Sequence, residues 1–465
     1  MDYRMEHDLL GELAVPNQVY YGIHTLRAAE NFSVSGNPVH PELIKALGVV
    51  KQAAAEANMM LGRLDKDKGR AICQGAAEVA QGELNEQFIV DVFQGGAGTS
   101  THMNVNEVIA NRAIEILGGT KGDYRVVHPL DHVNLSQSTN DVYPTALHIA
   151  AIRLALPLTE AAAYLQEALQ EKAAEFAGVL KVGRTQLQDA VPVTLGQEFA
   201  AYAQAVSRDH RRLQKAKERL RQVNLGGTAV GTSINADKQY IATVIERLRS
   251  LTGLDLDPYE NLVDGTQNAD VFVEVSGLIK TSATSLLKIS GDLRLMGSGP
   301  RAGLGEIRLP ELQAGSSIMP GKVNPVMTEM VSQVSYQIIA QDLAVTLAAQ
   351  AGQLELNAFL PLVAANLLPA LDTLAKTKIM FADKCIRGIT VNLCRCREEV
   401  LNSTSILTVL AAKIGYEKAT ELAHQAIEAG VPAKDVVLQS GLISEEELET
   451  LLAMDNAVKA ENHIH

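Results

Sequence analysis

Ser316 and Ser317 stand side by side in the stretch Gly315–Met327, which reads Gly-Ser-Ser-Ile-Met-Pro-Gly-Lys-Val-Asn-Pro-Val-Met and carries Lys322 and Asn324 a few residues downstream. Two glycines and two prolines in so short a run argue against a regular helix or strand, so the paired hydroxyls, the amine and the amide sit on a loop. Flexible glycines beside a hydroxyl suit a segment that closes over a substrate, because an oxygen acting as nucleophile or base reacts best once water has left. Alone, a Ser-Ser turn reads as an ordinary surface loop. Three more polar stretches alter that reading.

The first, Gly95–Glu107, is a Gly-rich turn that leads into a helical pattern starting near Met103. Such a turn exposes backbone N–H groups at the positive end of a helix dipole, which suits a carboxylate. Thr99 is the residue there to set against a substrate, although a plain helix cap would use the same residue type. No strand pattern precedes the turn, and its spacing fits neither dinucleotide nor P-loop fingerprints. The second stretch, Gln137–Pro144, places Ser138, Thr139 and Asn140 in a row just before another helix. These are three short donors for one anion, or the members of a capping box. The third, Gly183–Pro192, offers the hydroxyl of Thr185 and the amide of Gln186.

Together these four stretches resemble the aspartase/fumarase superfamily, whose signature is Gly-Ser-Ser-x-Met-Pro-x-Lys-x-Asn-Pro. The resemblance runs from about Gly11 to about Leu452. It implies a mainly α, three-domain fold whose central long-helix bundle forms a multi-subunit helical core. Residues 1–140 would be an N-terminal, mainly helical domain with an irregular arm, residues 141–394 the central bundle, and residues 395–465 a small C-terminal helical domain. It further implies a homotetramer in which loops from three subunits complete each site.

What the constellation offers is hydroxyls, amides and one lysine, without a metal cluster or a Ser-His-Asp arrangement among the motifs. That set suits a small dicarboxylate and removal of a proton beside one of its carboxylates. The second negative charge that then builds on that group is the costly species, and one well-aimed donor is worth on the order of 3 kcal/mol there. Thr99, Ser138, Thr139 and Ser317 are the candidates for holding this β-carboxylate. The resemblance makes Ser316 the base, its oxyanion favoured by backbone N–H groups and Lys322. Thr185, Gln186 and Lys322 would hold the α-carboxylate, and Asn140 and Asn324 the departing amino group.

Within the superfamily the resemblance points to anti elimination of ammonia from L-aspartate to give fumarate. The wording His24-Thr25-Leu26-Arg27 is closer to aspartases, and His24 and Arg27 are placed near the site by that likeness alone. Gln186 stands where fumarases carry His, Ser100-Thr101 replace a fumarase-type Gln, and Val326-Met327 replace Thr-Gln. Glu329 is in register with a carboxylate that pairs with that His in fumarases. The alternatives are a class II fumarate hydratase and a catalytically silent structural member. No cofactor is expected, since no Ala-Ser-Gly triad or marked Schiff-base lysine is present.

The elements that must position these residues are helical by composition. The chain has 465 residues, enough for two to four domains, with 47% hydrophobic residues, 4% aromatics and no Trp. A net charge of −13 speaks against a broad nucleic-acid surface. Cys73, Cys385, Cys394 and Cys396 lack metal-site spacing and read as reduced thiols of a cytoplasmic protein. The acidic N-terminal run does not read as a signal peptide, and no stretch of 18 consecutive apolar residues points to a membrane span.

Residues 11–40 read as an irregular arm, and periodicity predicts helices over 41–61 and 66–82. Longer ones follow over 145–177, 193–223, 265–297 and 326–352, with another over 354–385 that Pro361 and Pro369 kink. Between Val331 and Leu371 the only charges are Asp342 and Glu355, so these helices are expected to be buried nearly all round, most economically in a bundle of several subunits. A helix end is expected near Gly430 and a capped start at Ser444, with His463 and His465 on a disordered end.

Overall fold

The computed structural model describes residues 2–461; His463 and His465 lie outside them. Two compact units are present. The first comprises residues up to Thr159 with Arg211–Thr281 and Gln337–Leu374, and the second comprises Glu160–His210, Ser282–Tyr336 and the chain from Ala375 on.

The expected irregular arm holds regular structure instead. Strands β1 (Tyr3–Asp8) and β2 (Gly11–Pro16) pair antiparallel across a two-residue tip, Leu9-Leu10. Leucines are a poor turn signal. The bend is made by the Asp8 carboxylate, which accepts the Leu10 N–H at 2.8 Å, and by Gly11 at a φ of 110°. Helix α1 (Ile23–Asn31) follows without a local side-chain cap. Its free N–H groups on Gly22, His24 and Thr25 are taken by the Glu107 carboxylate at 2.9, 2.9 and 3.1 Å, a partner no local pattern reveals.

Helices α2 (Pro41–Met60) and α3 (Lys66–Gln81) match their expected spans, with Asp65 capping α3 through the N–H groups of Asp67 and Lys68. They pack so closely that a Cβ on Gly48 would lie 2.7 Å from the Ala80 nitrogen. Helix α4 (Thr99–Ile116) begins four residues before Met103, because Gly98 turns the chain into it with a φ of 93°. Helix α5 (Thr139–Glu175) runs 37 residues and carries Pro144 and Pro157. One window of α5 is long and apolar enough to cross a membrane, but 67% of that window is buried inside the protein.

Strands β3 (Leu180–Thr185) and β4 (Gln188–Thr194) form a hairpin before α6 (Leu195–Leu220) and α7 (Lys238–Thr252). The helix expected over 265–297 is two helices, α8 (Leu262–Gln267) and α9 (Asp270–Met296), parted at extended Asn268. Helices α10 (Val326–Gln350) and α11 (Leu360–Lys384) follow. Because α11 starts at Leu360, Pro361 lies in its first turn, where a missing N–H costs nothing, and only Pro369 lies inside it.

The expectation that this region is buried all round is not met within one chain. On α10, Val331, Ser335, Ile338, Asp342, Val345 and Ala348 form one buried stripe. Tyr336, Leu343 and Leu347, at helical spacing, remain 63%, 59% and 50% exposed. The Asp342 charge is matched by Lys280 at 2.5 Å and by the Ser276 hydroxyl at 2.8 Å.

The chain ends in α12 (Leu393–Asn402), α13 (Ser405–Ile414), α14 (Tyr416–Ala429), α15 (Ala433–Gln439) and α16 (Glu445–Glu461). Gly430 closes α14 in the left-handed region. Ser444 and Glu447 form a capping box in which the Ser444 hydroxyl accepts the Glu447 N–H and the carboxylate accepts the Ser444 N–H. Ile406, Leu410, Leu422 and Leu448 form a buried cluster with Val182 of β3, which fastens the hairpin to these helices. The four cysteines are free, and burial pushes the thiols of Cys73, Cys385 and Cys396 up to about 12.

Candidate active site

In the first unit the starts of α4 and α5 meet. A Cβ on Gly98 would lie 2.4 Å from the Tyr143 ring of α5, so only glycine allows this approach. One turn further along α4, His102 Nδ1 lies 2.8 Å from the Thr139 hydroxyl. Two helix N-termini therefore lie side by side, and the positive ends of their dipoles favour an anion there.

Thr99, Ser138, Thr139 and Asn140 all belong to these two helix starts. Each also has a local role. The Thr99 hydroxyl donates to the Gly96 carbonyl at 2.6 Å, and the Ser138 hydroxyl accepts the Asn140 N–H at 3.3 Å. The Ser138 N–H donates to Asp141 at 2.9 Å, which completes the capping box. Asn140 donates its side-chain amide to the Ala229 carbonyl at 2.7 Å.

Asp141 is the hub of this loop cluster. Fully buried, it accepts the backbone N–H groups of Ser138, Gly226 and Thr228 at 2.9, 2.9 and 3.0 Å. Burial raises its carboxyl to about 6, against the pull of those N–H groups and of Lys51.

In the second unit Thr185 and Gln186 lie at the exposed tip of the β3–β4 hairpin. Gln186 and Leu187 both take positive φ, 53° and 62°, the turn that matches strand twist but that glycine or asparagine normally supplies. Non-glycine residues held there are a mark of functional turns. The hairpin is anchored by a buried ionic cluster in which Arg184 pairs with Glu306 at 2.6 Å and Glu399 at 2.9 Å. Lys181 reaches Glu198 at 3.0 Å and Glu306 at 3.3 Å.

The loop before α10 is open and closed only at its base. The Gly315 N–H donates to the Lys322 carbonyl at 2.8 Å, and the Asn324 amide donates to the Gly315 carbonyl at 2.7 Å. At its head the Ser316 hydroxyl accepts the backbone N–H groups of Ile318 and Met319, at 3.2 and 2.9 Å. Such donors favour the oxyanion of Ser316 over its neutral form. Ser317 and Lys322 project into solvent, and Ile318 is 84% exposed at the loop's edge. Among the described residues no hydrogen bond joins Thr185 or Gln186 to this loop. Arg27, on α1, pairs with Asp8 at 2.8 Å.

The lyase family model matches residues 11–340, and a fumarase C C-terminus model matches residues 406–458. The chain belongs to the aspartase/fumarase superfamily. Relatives in that superfamily include proteins named aspartate ammonia-lyase from Bacillus subtilis, 49% identical over 97% of this chain and 95% of the relative, and from Escherichia coli, 45% identical over 97% and 95%. A crystal structure of a fumarate lyase:delta crystallin from Brucella melitensis bound to cobalt superposes with a TM-score of 0.94 at 48% identity, covering 99% of this chain and 100% of that one. A class II fumarase from Schistosoma mansoni superposes with a TM-score of 0.90 at 35% identity, covering 97% and 98%. The mainly α, fumarase-type fold is therefore established on both sequence and structure.

Beyond the residues that the superfamily resemblance supplies, the structure adds two that sequence reasoning missed, Lys51 and the His102 it contacts. Lys51, fully buried in α2, places its ammonium 2.5 Å from His102 Nε2 and 2.9 Å from both Asn134 Oδ1 and Gln137 Oε1. A lone lysine inside the apolar run Val49-Val50-Lys51-Gln52-Ala53 was the available signal, since an uncompensated charge does not survive on a buried face.

Proposed function

We propose that this protein is a carbon–nitrogen lyase that removes ammonia from L-aspartate in a reversible anti elimination, giving fumarate through an enediolate (aci-carboxylate) intermediate. The observation that carries the reading is the pair of backbone N–H groups aimed at Ser316 Oγ, because a serine is a competent base for a carbon acid only when its oxyanion is held in this way. The names of relatives 45–49% identical over nearly the whole chain support the same reaction.

Ser316 takes the Cβ proton. The charge that moves onto the β-carboxylate is met by Thr99, Ser138, Thr139 and Ser317, while Thr185, Gln186 and Lys322 hold the α-carboxylate. Asn140 and Asn324 face the amino group. As the enediolate collapses, the C–N bond breaks and the double bond forms. The substrate's amino group is an ammonium, so it departs as neutral ammonia and no general acid is required. Hydroxide leaving from malate would require one, and the Gln186 amide cannot supply a proton. This favours ammonia release over the fumarate hydratase reading.

We also propose a homotetramer with sites shared between subunits. The exposed apolar row Tyr336, Leu343 and Leu347 on α10 supports a helical contact between copies, since such a face is costly to leave in water. Light scattering is predicted to return about four chain masses of 49.9 kDa; one chain mass would sink this part.

The reaction is tested by giving the purified protein L-aspartate or L-malate and following ammonia and fumarate together. Equal amounts of both from L-aspartate are predicted, with no conversion of malate. Fumarate from malate alone would overturn the assignment.

A further inference from the structure

The hydrogen bond between His102 and Thr139 has a direction that its surroundings fix. Lys51 Nζ has three acceptors around it: His102 Nε2, Asn134 Oδ1 and Gln137 Oε1. The Gln137 amide nitrogen is occupied by the Val133 and Leu135 carbonyls, both at 3.1 Å, so its oxygen is the atom that faces the lysine. An ammonium has three donors and no acceptor, and it matches this set one to one. Burial pushes the Lys51 amine well below its ordinary value, with the nearby Asp141 carboxylate pulling the other way. The one-to-one match of its three hydrogens to three acceptors is what holds the proton on it. The ring of His102, 1% exposed, is kept neutral first by burial and then by the charges of Lys51 and His24.

A neutral imidazole that accepts at Nε2 carries its proton on Nδ1. His102 must then donate to the Thr139 oxygen rather than accept from it. With its lone pair so engaged, the Thr139 hydroxyl keeps its own hydrogen free to point away from the ring.

We propose that His102, held in the Nδ1–H form by Lys51, is a positioning residue that turns the Thr139 O–H toward the substrate's β-carboxylate. The inference rests on the reading of Thr139 as a carboxylate donor. It assigns no proton transfer to either residue: His102 acts through Thr139 alone, and its effect disappears when the threonine hydroxyl does.

The test is a double-mutant cycle on the full-length protein, reading both L-aspartate turnover and fumarate binding by calorimetry. His102→Asn places an amide N–H where Nδ1–H was and should keep kcat/KM within about threefold, because the donor survives. His102→Leu removes the donor and should cost about tenfold to hundredfold, within the range of a misaligned transition-state donor. In a Thr139→Ala background the same leucine change should cost less than about twofold. An equal loss in both backgrounds would overturn the proposal, as would a leucine variant that matches the asparagine variant. Melting curves identify a variant that has lost its fold, and the asparagine variant then carries the comparison. A parent protein that binds fumarate without turning over aspartate would contradict the proposed reaction, and the binding arm of the cycle would still judge the hydrogen bond.

Discussion

The backbone N–H of Met319 points at the Ser316 hydroxyl oxygen from 2.9 Å. That arrangement depends on the closed base of the loop, where Gly315 packs against the returning loop segment so tightly that a Cβ would lie 2.6 Å from the Lys322 carbonyl oxygen. Gly315→Ala must therefore spread the base and shift Ser316. Kcat/KM is predicted to fall about a hundredfold, the scale of an ångström-sized misplacement, while the unfolding midpoint stays near that of the parent because the loop is exposed. Steady-state kinetics alongside thermal melting checks this, and unchanged kinetics would show that the loop base does not set the hydroxyl.

Glu306 is fully buried and serves two cations, Arg184 at 2.6 Å and Lys181 at 3.3 Å. Glu306→Gln leaves both cations undercompensated in the interior. The predicted cost is about 3 kcal/mol, the lower range for breaking a buried ion pair. Denaturant unfolding measures it. Thr185 and Gln186 ride on the same hairpin, so Km for aspartate should rise as well.

His148 on α5 is fully buried, faces the Leu220 carbonyl at 2.9 Å and packs against Phe272 with ring centres 4.7 Å apart. Burial lowers its pKa from 6.5 to about 4, so the fold prefers the neutral ring while the unfolded chain takes up a proton more readily. Stability from this site is complete above 6.5 and is lost as pH falls through 6.5 toward 4. The parent should lose on the order of 2 kcal/mol from this site between pH 7 and pH 5. His148→Asn retains a donor for Leu220 without that titration. Its denaturation midpoint should therefore drop less than the parent's over the same interval, and an identical drop would refute the assignment.

Where the sequence carries a repeating pattern, the fold was legible. The 3.6-residue period located the long helices, and Gly430 and Ser444 marked a helix end and a helix start through capping chemistry that acts within four residues. The loops bearing Thr99, Ser138 and Ser316 announced themselves through glycine, proline and short polar side chains. What escaped was fixed by distant partners. Helix α1 is capped by Glu107, the Leu9-Leu10 tip carries no turn residue, and Gln186-Leu187 adopts a turn that its composition opposes. The Lys51–His102–Thr139 chain joins three elements, and its direction follows only from counting donors and acceptors around one ammonium.

The central claim is that Ser316, as an oxyanion held by loop N–H groups, removes the Cβ proton. It is tested most directly by comparing the parent with Ser316→Ala in fumarate formation from L-aspartate and in fumarate binding. The account predicts that turnover falls by a thousandfold or more, roughly the loss expected when a catalytic group is removed, while binding changes little. A variant that retains turnover within tenfold of the parent would contradict it.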